Sequence, residues 1–335
     1  MHRKIWPSVL GLAVSALLLW WVLGNVEWSA VRAHIGSASL PLLAVAVAIA
    51  TATFPLRLLR WRLLLRRDDG GTIGIAPMWH AVAIGFMANN VLPFRMGEIM
   101  RTLTVSRLAP VRFTAAFSSI AVERVFDGLT VVALLAVSLF TAGLPAGTAI
   151  GGVPIARLAA IAGAMLGAAL LAAVAVVAWP LAAERVIRKV VPGERLAGKL
   201  VALVEGVRHG LSVLRSPARL AAVIGWSLVL WLVNALSFYV AFLAFDIPAG
   251  FAAALLLQGV LVLGIAVPST PGYVGLFEGA IKAVLLLFAV APDRAVAYAV
   301  TYHVTTFIPI VLLGAWSLLT TSLSLRDLRS EASSA

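Results

Sequence analysis

The chain has 335 residues, of which 62% are hydrophobic and only 12% charged, a composition that a water-soluble domain could carry only by exposing its core. It is therefore read as an integral membrane protein, with no stretch left over for a separate soluble domain. The net charge of +12 does not indicate nucleic acid, because the basic residues flank apolar runs, and the lack of cysteine excludes disulfides and thiolate metal sites.

In chain order, residues 5–24 form a first span. It is retained rather than cleaved, because the apolar run is long and Gly24-Asn25-Val26-Glu27 lacks a small-x-small pattern. Residues 40–61 return and run into a basic cluster containing Arg57, Arg60 and Arg66. The favoured reading of this cluster is a cytoplasmic anchor with Trp61 at the interface. The alternative uses the shared helix face of Arg57 and Arg60 to hold lipid phosphates. Residues 75–110 are expected to enter the membrane and turn back, since Arg95, Arg101, Arg107 and Arg112 belong on the same side as Arg66. Asn89, Asn90 and Pro93 mark the tip of this re-entrant element. Residues 113–142 cross next and 156–179 return, and the polar segment 180–219 follows. Its leucines at 196, 200, 203, 211 and 214 have helical period, which predicts an amphipathic helix on the cytoplasmic leaflet. Spans at 220–245, 250–267, 274–290 and 295–323 complete the chain. Of the 26 Lys and Arg residues, 21 fall on one side of this arrangement, which puts both termini in the cytoplasm of a bacterial or archaeal inner membrane. The fold class is all-α, with about eight transmembrane helices plus the re-entrant element.

Two breaks in the apolar pattern share the order Pro, Gly, Glu: Pro93 to Glu98, and Pro271 to Glu278. They are read as two halves of one site and as the mark of an inverted pseudo-repeat. Charges at membrane depth are costly and face cavities or each other. Glu123, Arg124 and Asp127 lie on one helical face, either as an internal ion pair or as a substrate site. Arg95, Glu98 and Arg101 follow the first break, where Glu98 can pair with one arginine and leave the other free for an anion. Glu278 and Lys282 form an i, i+4 pair after the second break. There Gly272 and Gly275 let the backbone bend and expose helix N–H groups to an anion. Tyr273 lies inside that break, and His303, in the last span, is weaker as a candidate. The five histidines show no ligand spacing, no phosphate loop or nucleophile elbow occurs, and no catalytic residue, metal or cofactor is assigned.

The stretches Asn90-Val91-Leu92-Pro93-Phe94-Arg95-Met96-Gly97-Glu98, Val122-Glu123-Arg124-Val125-Phe126-Asp127 and Pro271-Gly272-Tyr273-Val274-Gly275-Leu276-Phe277-Glu278, with Arg60-Trp61, resemble the flippase-like membrane domain of lysylphosphatidylglycerol synthases and their stand-alone relatives. The resemblance implies a domain that moves a polar-headed lipid between leaflets through a hydrophilic cavity. It also implies that the aminoacyl-transfer domain of the synthases is not expected here, and that cargo among relatives includes polyprenyl-linked sugars and hopanoids. The primary expectation is thus a lipid flippase whose partners are lipids with anionic head groups and, in some settings, a separately encoded lipid-modifying enzyme. A membrane-embedded transferase on a lipid-phosphate and a scaffold for an envelope synthase are the alternatives, and oligomerisation is left open.

Overall fold

A computed structural model describes residues 6–24, 26–92, 96–144, 147–150, 152–154, 216–265, 270–321 and 323–324, with isolated stretches between 156 and 201. Arg95, most of the expected span at 156–179 and the leucines at 196, 200, 203, 211 and 214 lie outside the described residues. The described chain is helical apart from a two-residue ladder in which Ala149–Ile150 pairs antiparallel with Val153–Pro154. Among the described residues, three helices are both long and apolar enough to cross a membrane: α3 (Leu40–Leu64), α8 (Pro217–Ala244) and α11 (Pro292–Thr320). A fourth, α6 (Phe113–Thr141), has 29 residues but carries Glu123, Arg124 and Asp127. Before them come α1 (Trp6–Leu23) and α2 (Trp28–Ser37), and α7 (Pro180–Val190) occupies the start of the expected amphipathic segment, with Arg188 and Lys189 in the last turn, where the helix dipole favours cations.

The two breaks each divide a helical hairpin. On the first side α4 (Ile75–Val91) is followed by α5 (Gly97–Leu108), and on the second α9 (Phe251–Ile265) is followed, through a 3-10 turn at Pro271–Tyr273, by α10 (Leu276–Leu287). The expected spans 250–267 and 274–290 correspond to described helices of 15 and 12 residues, which rise about 22 and 18 Å. Gly272 at φ +71° and Gly275 at φ +87° take backbone conformations that side chains resist, and Gly275 stands immediately before the first residue of α10.

The packing of the two halves corresponds element for element. Exchanging α3 with α8, α4 with α9, α5 with α10 and α6 with α11 maps every helix contact in one half onto a contact in the other. Thus α4 lies against α11 as α9 lies against α6, and α3 and α8 pack on each other. The register agrees: Leu135 and Gly314 stand equally far into their helices (113 to 135, 292 to 314), and each is the crossing point, Leu135 against Gly259 of α9 and Gly314 against Met87 and Ala83 of α4. The Ser39 amide at the start of α3 donates to the Ala244 carbonyl at the end of α8 (2.8 Å), and Arg60 meets Ser227 further along, so the two helices are antiparallel. Antiparallel counterparts make this an inverted pseudo-repeat. Helices α1 and α2 stand outside it, packed on α10 and α11. Large apolar side chains such as Trp20, Phe140 and Leu319 are exposed around the bundle; in lipid they are the solvent-facing surface rather than a defect.

The α4–α5 crossing is the tightest in the molecule. A Cβ on Gly97 would overlap the Gly85 carbonyl oxygen and the Asn89 side chain, and one on Gly85 would come 2.8 Å from the Arg101 Cβ. Gly97→Ala should therefore lower stability by about 1–3 kcal/mol in thermal unfolding of the detergent-solubilised protein. Gly36→Ala, at a helix position with open space around it, should not lower it.

Candidate functional site

Burial of two carboxylates organises the first half. Glu123 and Asp127 project from α6 with relative exposures of 0% and 4%, and three arginines from three helices surround them. Arg101 of α5 makes a two-pronged contact with Glu123 (Nη1–Oε1 2.9 Å, Nη2–Oε2 3.0 Å), the planar fork geometry that gives a guanidinium its advantage over an ammonium. Arg60 of α3 reaches Asp127 Oδ1 at 2.5 Å and Glu123 Oε1 at 3.3 Å, and Arg124 joins Glu123 Oε1 (2.7 Å) to Asp127 Oδ2 (3.1 Å). Two tryptophans complete the shell. The Trp231 indole N–H donates to Asp127 (2.9 Å), and the Arg101 guanidinium lies 3.8 Å over the Trp61 ring, whose own N–H donates to Ser119.

Next to this cluster is a cavity of about 190 Å³. Arg57, Arg101, Arg124 and Glu98 face it, as do Asn89 and Asn90 at the end of α4, Phe86, Trp231 and Val262, and Tyr273 of the second break. The two Pro-Gly breaks, 178 residues apart between Pro93 and Pro271, thus converge on one space. Asn89 holds the first break in shape by accepting from the Gly97 amide (2.8 Å), while Asn90 donates to the Phe86 carbonyl (2.8 Å). Arg57 is 7% exposed, and its guanidinium lies 4.7 Å from the Phe86 ring centre and 5.6 Å from that of Trp231. Among the described residues it has no carboxylate partner, and its Nε has no hydrogen bond.

Several expectations are corrected by this geometry. Arg57, Arg60 and Trp61 are not an anchor at the membrane surface: all three are buried, since they share the face of α3 that packs on α4, α6 and α8. Arg101 is not the free member of an Arg95–Glu98–Arg101 group, because its charge is taken by Glu123. Glu278 and Lys282 do not pair. Glu278 turns back to cap its own helix, accepting from the Gly275 amide (2.7 Å) and meeting His303 Nδ1 at 2.6 Å, while Lys282 donates to the Val22 (2.7 Å) and Trp21 (3.1 Å) carbonyls at the end of α1. A carboxylate three residues into a helix reaches its first amide with little loss of side-chain freedom, whereas the longer lysine stem finds the unpaired carbonyls of a neighbouring helix end. The N-terminus after Gly275 is consequently occupied by the chain's own carboxylate rather than presented to an anion. His303, the weaker candidate, is a partner in that structure. Phe86 and Trp231 were not singled out from the sequence; the available signal was a tryptophan in the middle of an apolar span, far from the interfacial belts where tryptophan is usual.

The family model described as the lysylphosphatidylglycerol synthase TM region matches residues 8–314, and the chain belongs to that family. It is 29% identical over 95% of its length to the Haloferax volcanii protein named glycosyltransferase AglD, of which it spans 55%. To the Methanothermobacter thermautotrophicus protein named UPF0104 membrane protein it is 24% identical over 94% of its length and 92% of that protein.

The ion cluster and Arg57 should separate in a stability measurement. Arg60→Gln leaves Asp127 short of its closest cation and should cost about 3–5 kcal/mol in thermal unfolding, whereas Arg57→Gln orphans no carboxylate and should leave stability equal or higher.

Proposed function

We propose that this member of the lysylphosphatidylglycerol synthase membrane-region family moves a lipid with a phosphate-bearing, anionic head group between leaflets of the cytoplasmic membrane, with both termini on the cytoplasmic side. The observation that carries the reading is Arg57: a buried cation with no carboxylate partner among the described residues, held between two aromatic rings and facing a cavity formed by both breaks. Among the described residues, Arg57, Arg60, Arg101 and Arg124 against Glu98, Glu123 and Asp127 leave one positive charge in excess, which matches the single negative charge of a phosphodiester. The rings keep the guanidinium flat and dehydrated, so its fork is ready for phosphate oxygens, and the acyl chains remain in lipid beside the exposed apolar faces of the bundle. Arg60, Arg101 and Arg124 act one step back, as the rigid wall that keeps the cavity open and positive.

A transferase acting on a lipid-phosphate is the second reading, and the name of the Haloferax relative favours it. Against it stands the engagement of the acids. Glu123 is held by three guanidinium groups and Asp127 by two together with an indole, which disfavours either as a proton acceptor.

The test is reconstitution in vesicles with a headgroup-labelled anionic phospholipid, following both its leaflet and its chemical identity. Arg57→Gln should slow translocation about 10- to 100-fold, the equivalent of a lost charge-assisted hydrogen bond of about 1.5–3 kcal/mol. Arg57→Lys, which keeps the charge but not the flat fork, should fall between. Unchanged flux in Arg57→Gln, or a lipid that emerges chemically altered, would refute the transport reading.

A further inference from the structure

His303, the partner of Glu278, has a positional counterpart in the first half. His303 stands as far into α11 (292 to 303) as Arg124 stands into α6 (113 to 124), and both bind a carboxylate, Arg124 that of Glu123 and His303 that of Glu278. In the first half the cation is permanent, because a guanidinium does not lose its proton. In the second it is an imidazole, whose charge changes within the physiological range. Corresponding places on the two long helices thus carry a guanidinium in the first half and an imidazole in the second, while the carboxylates they bind come from different elements, Glu123 from α6 itself and Glu278 from α10.

The pair is placed to act on the cavity. Glu278 uses one oxygen for His303 and the other for the Gly275 amide, and Gly275 is two residues from Tyr273, which faces the cavity. Tyr273 is at φ +60°, a conformation a bulky residue holds only under constraint, so the break is poised to change shape when its anchor loosens. The imidazole is stacked on Phe277 (4.3 Å) and edge-on to Phe307 (6.4 Å), and its Nε2 makes no hydrogen bond among the described residues.

We propose that Glu278 and His303 form a proton-binding site that couples proton exchange to movement of the second break, and through it to head-group passage; the coupling to transport rests on the function proposed above. With the proton on Nε2, imidazolium and carboxylate neutralise each other and the second half closes with Gly275 anchored. Without it, a neutral imidazole leaves an uncompensated buried carboxylate, a cost relieved when the break opens and water reaches Glu278. One proton enters from water at Nε2 and leaves from the same atom; no other bond changes.

Other charges around the pair are engaged elsewhere. On α10, Lys282 is tied to the end of α1, and on α11, Asp293 accepts from the Glu27 amide, Tyr298 donates to Phe238 and Tyr302 is bound to Ser237. Arg294, also on α11, donates to the Asp246 carbonyl. Helix α9 has no titratable residue and neither does α1. On α2, Arg32 is exposed and His34 half-buried; on α4, His80 packs against Trp316; on α3, Arg62 is half-buried and Arg57 and Arg60 belong to the site above; on α8, Arg219 is exposed and Tyr239 packs on Phe251.

The experiment is hydrogen exchange at the Gly275 amide in the full chain, reconstituted in phosphatidylglycerol–phosphatidylethanolamine vesicles and corrected for the intrinsic pH dependence of exchange. Raising the pH from about 5.5 to 7.5 should lower wild-type protection about tenfold or more, the ceiling for one linked proton being about a hundredfold. His303→Gln should give a flat, weakly protected profile, and His303→Arg, which installs the residue type found at the corresponding place in the first half, a flat and strongly protected one. A wild-type profile without pH dependence, or a His303→Gln profile that keeps it, overturns the assignment. Lipid flux under an imposed pH gradient is read separately in the same vesicles. Flux that ignores the gradient overturns the coupling, whereas absence of flux under every condition overturns the transport reading and leaves the amide profile to decide the proton site.

Discussion

Everything in the first half depends on keeping Glu123 and Asp127 charged inside an apolar bundle. A carboxylate without a partner at that depth is too costly to keep, so the cations that satisfy the pair must come from wherever the chain can supply them. They come from α3, α5 and α6, and the ion cluster therefore sets the relative positions of three helices that lipid-like packing alone would leave loosely specified. The Gly85–Gly97 contact serves the same requirement, because only a hairpin this tight brings Arg101 to Glu123.

With the carboxylates satisfied, Arg57, which has no carboxylate partner among the described residues, becomes informative. Arg57 lies one helical turn before Arg60 on the same face, yet it meets two aromatic rings where Arg60 meets two carboxylates. Stacking lowers the cost of its burial without cancelling its charge, which leaves a positive potential directed into a space of about 190 Å³. Membrane transporters built from inverted repeats commonly place their sites where broken helices from both halves meet, and the convergence of Asn90, Gly97 and Tyr273 on one cavity follows that pattern.

The two halves share an architecture but not an electrostatic character. Both pack a broken hairpin against the long helix of the opposite half, through a glycine at each crossing, Gly314 in one and Gly259 in the other. In the first half, charges from three helices are locked together. In the second, Glu278 is held within a local arrangement of a cap, an imidazole and aromatic rings, and Lys282 is diverted to α1.

The sequence by itself determined the class of molecule, because apolar runs of membrane length have no other solvent. It also determined where the pattern breaks, since Pro, Gly and charged residues in such runs are too costly to occur without a reason, and the residues at Asn90, Glu98, Tyr273 and the α6 trio do face or adjoin one cavity. Helical periodicity could place Glu123, Arg124 and Asp127 on one face, since that is a property of a single helix. Partnership between helices was not legible, because periodicity says nothing about which faces meet. Only the tertiary structure could assign Arg101 to Glu123, Arg60 to Asp127 and His303 to Glu278, and so decide that, among the described residues of the site, Arg57 rather than Arg101 lacks a carboxylate partner. Hydropathy measures what a segment can be dissolved in, whereas the point at which α10 starts is set by a positive-φ glycine and a carboxylate cap.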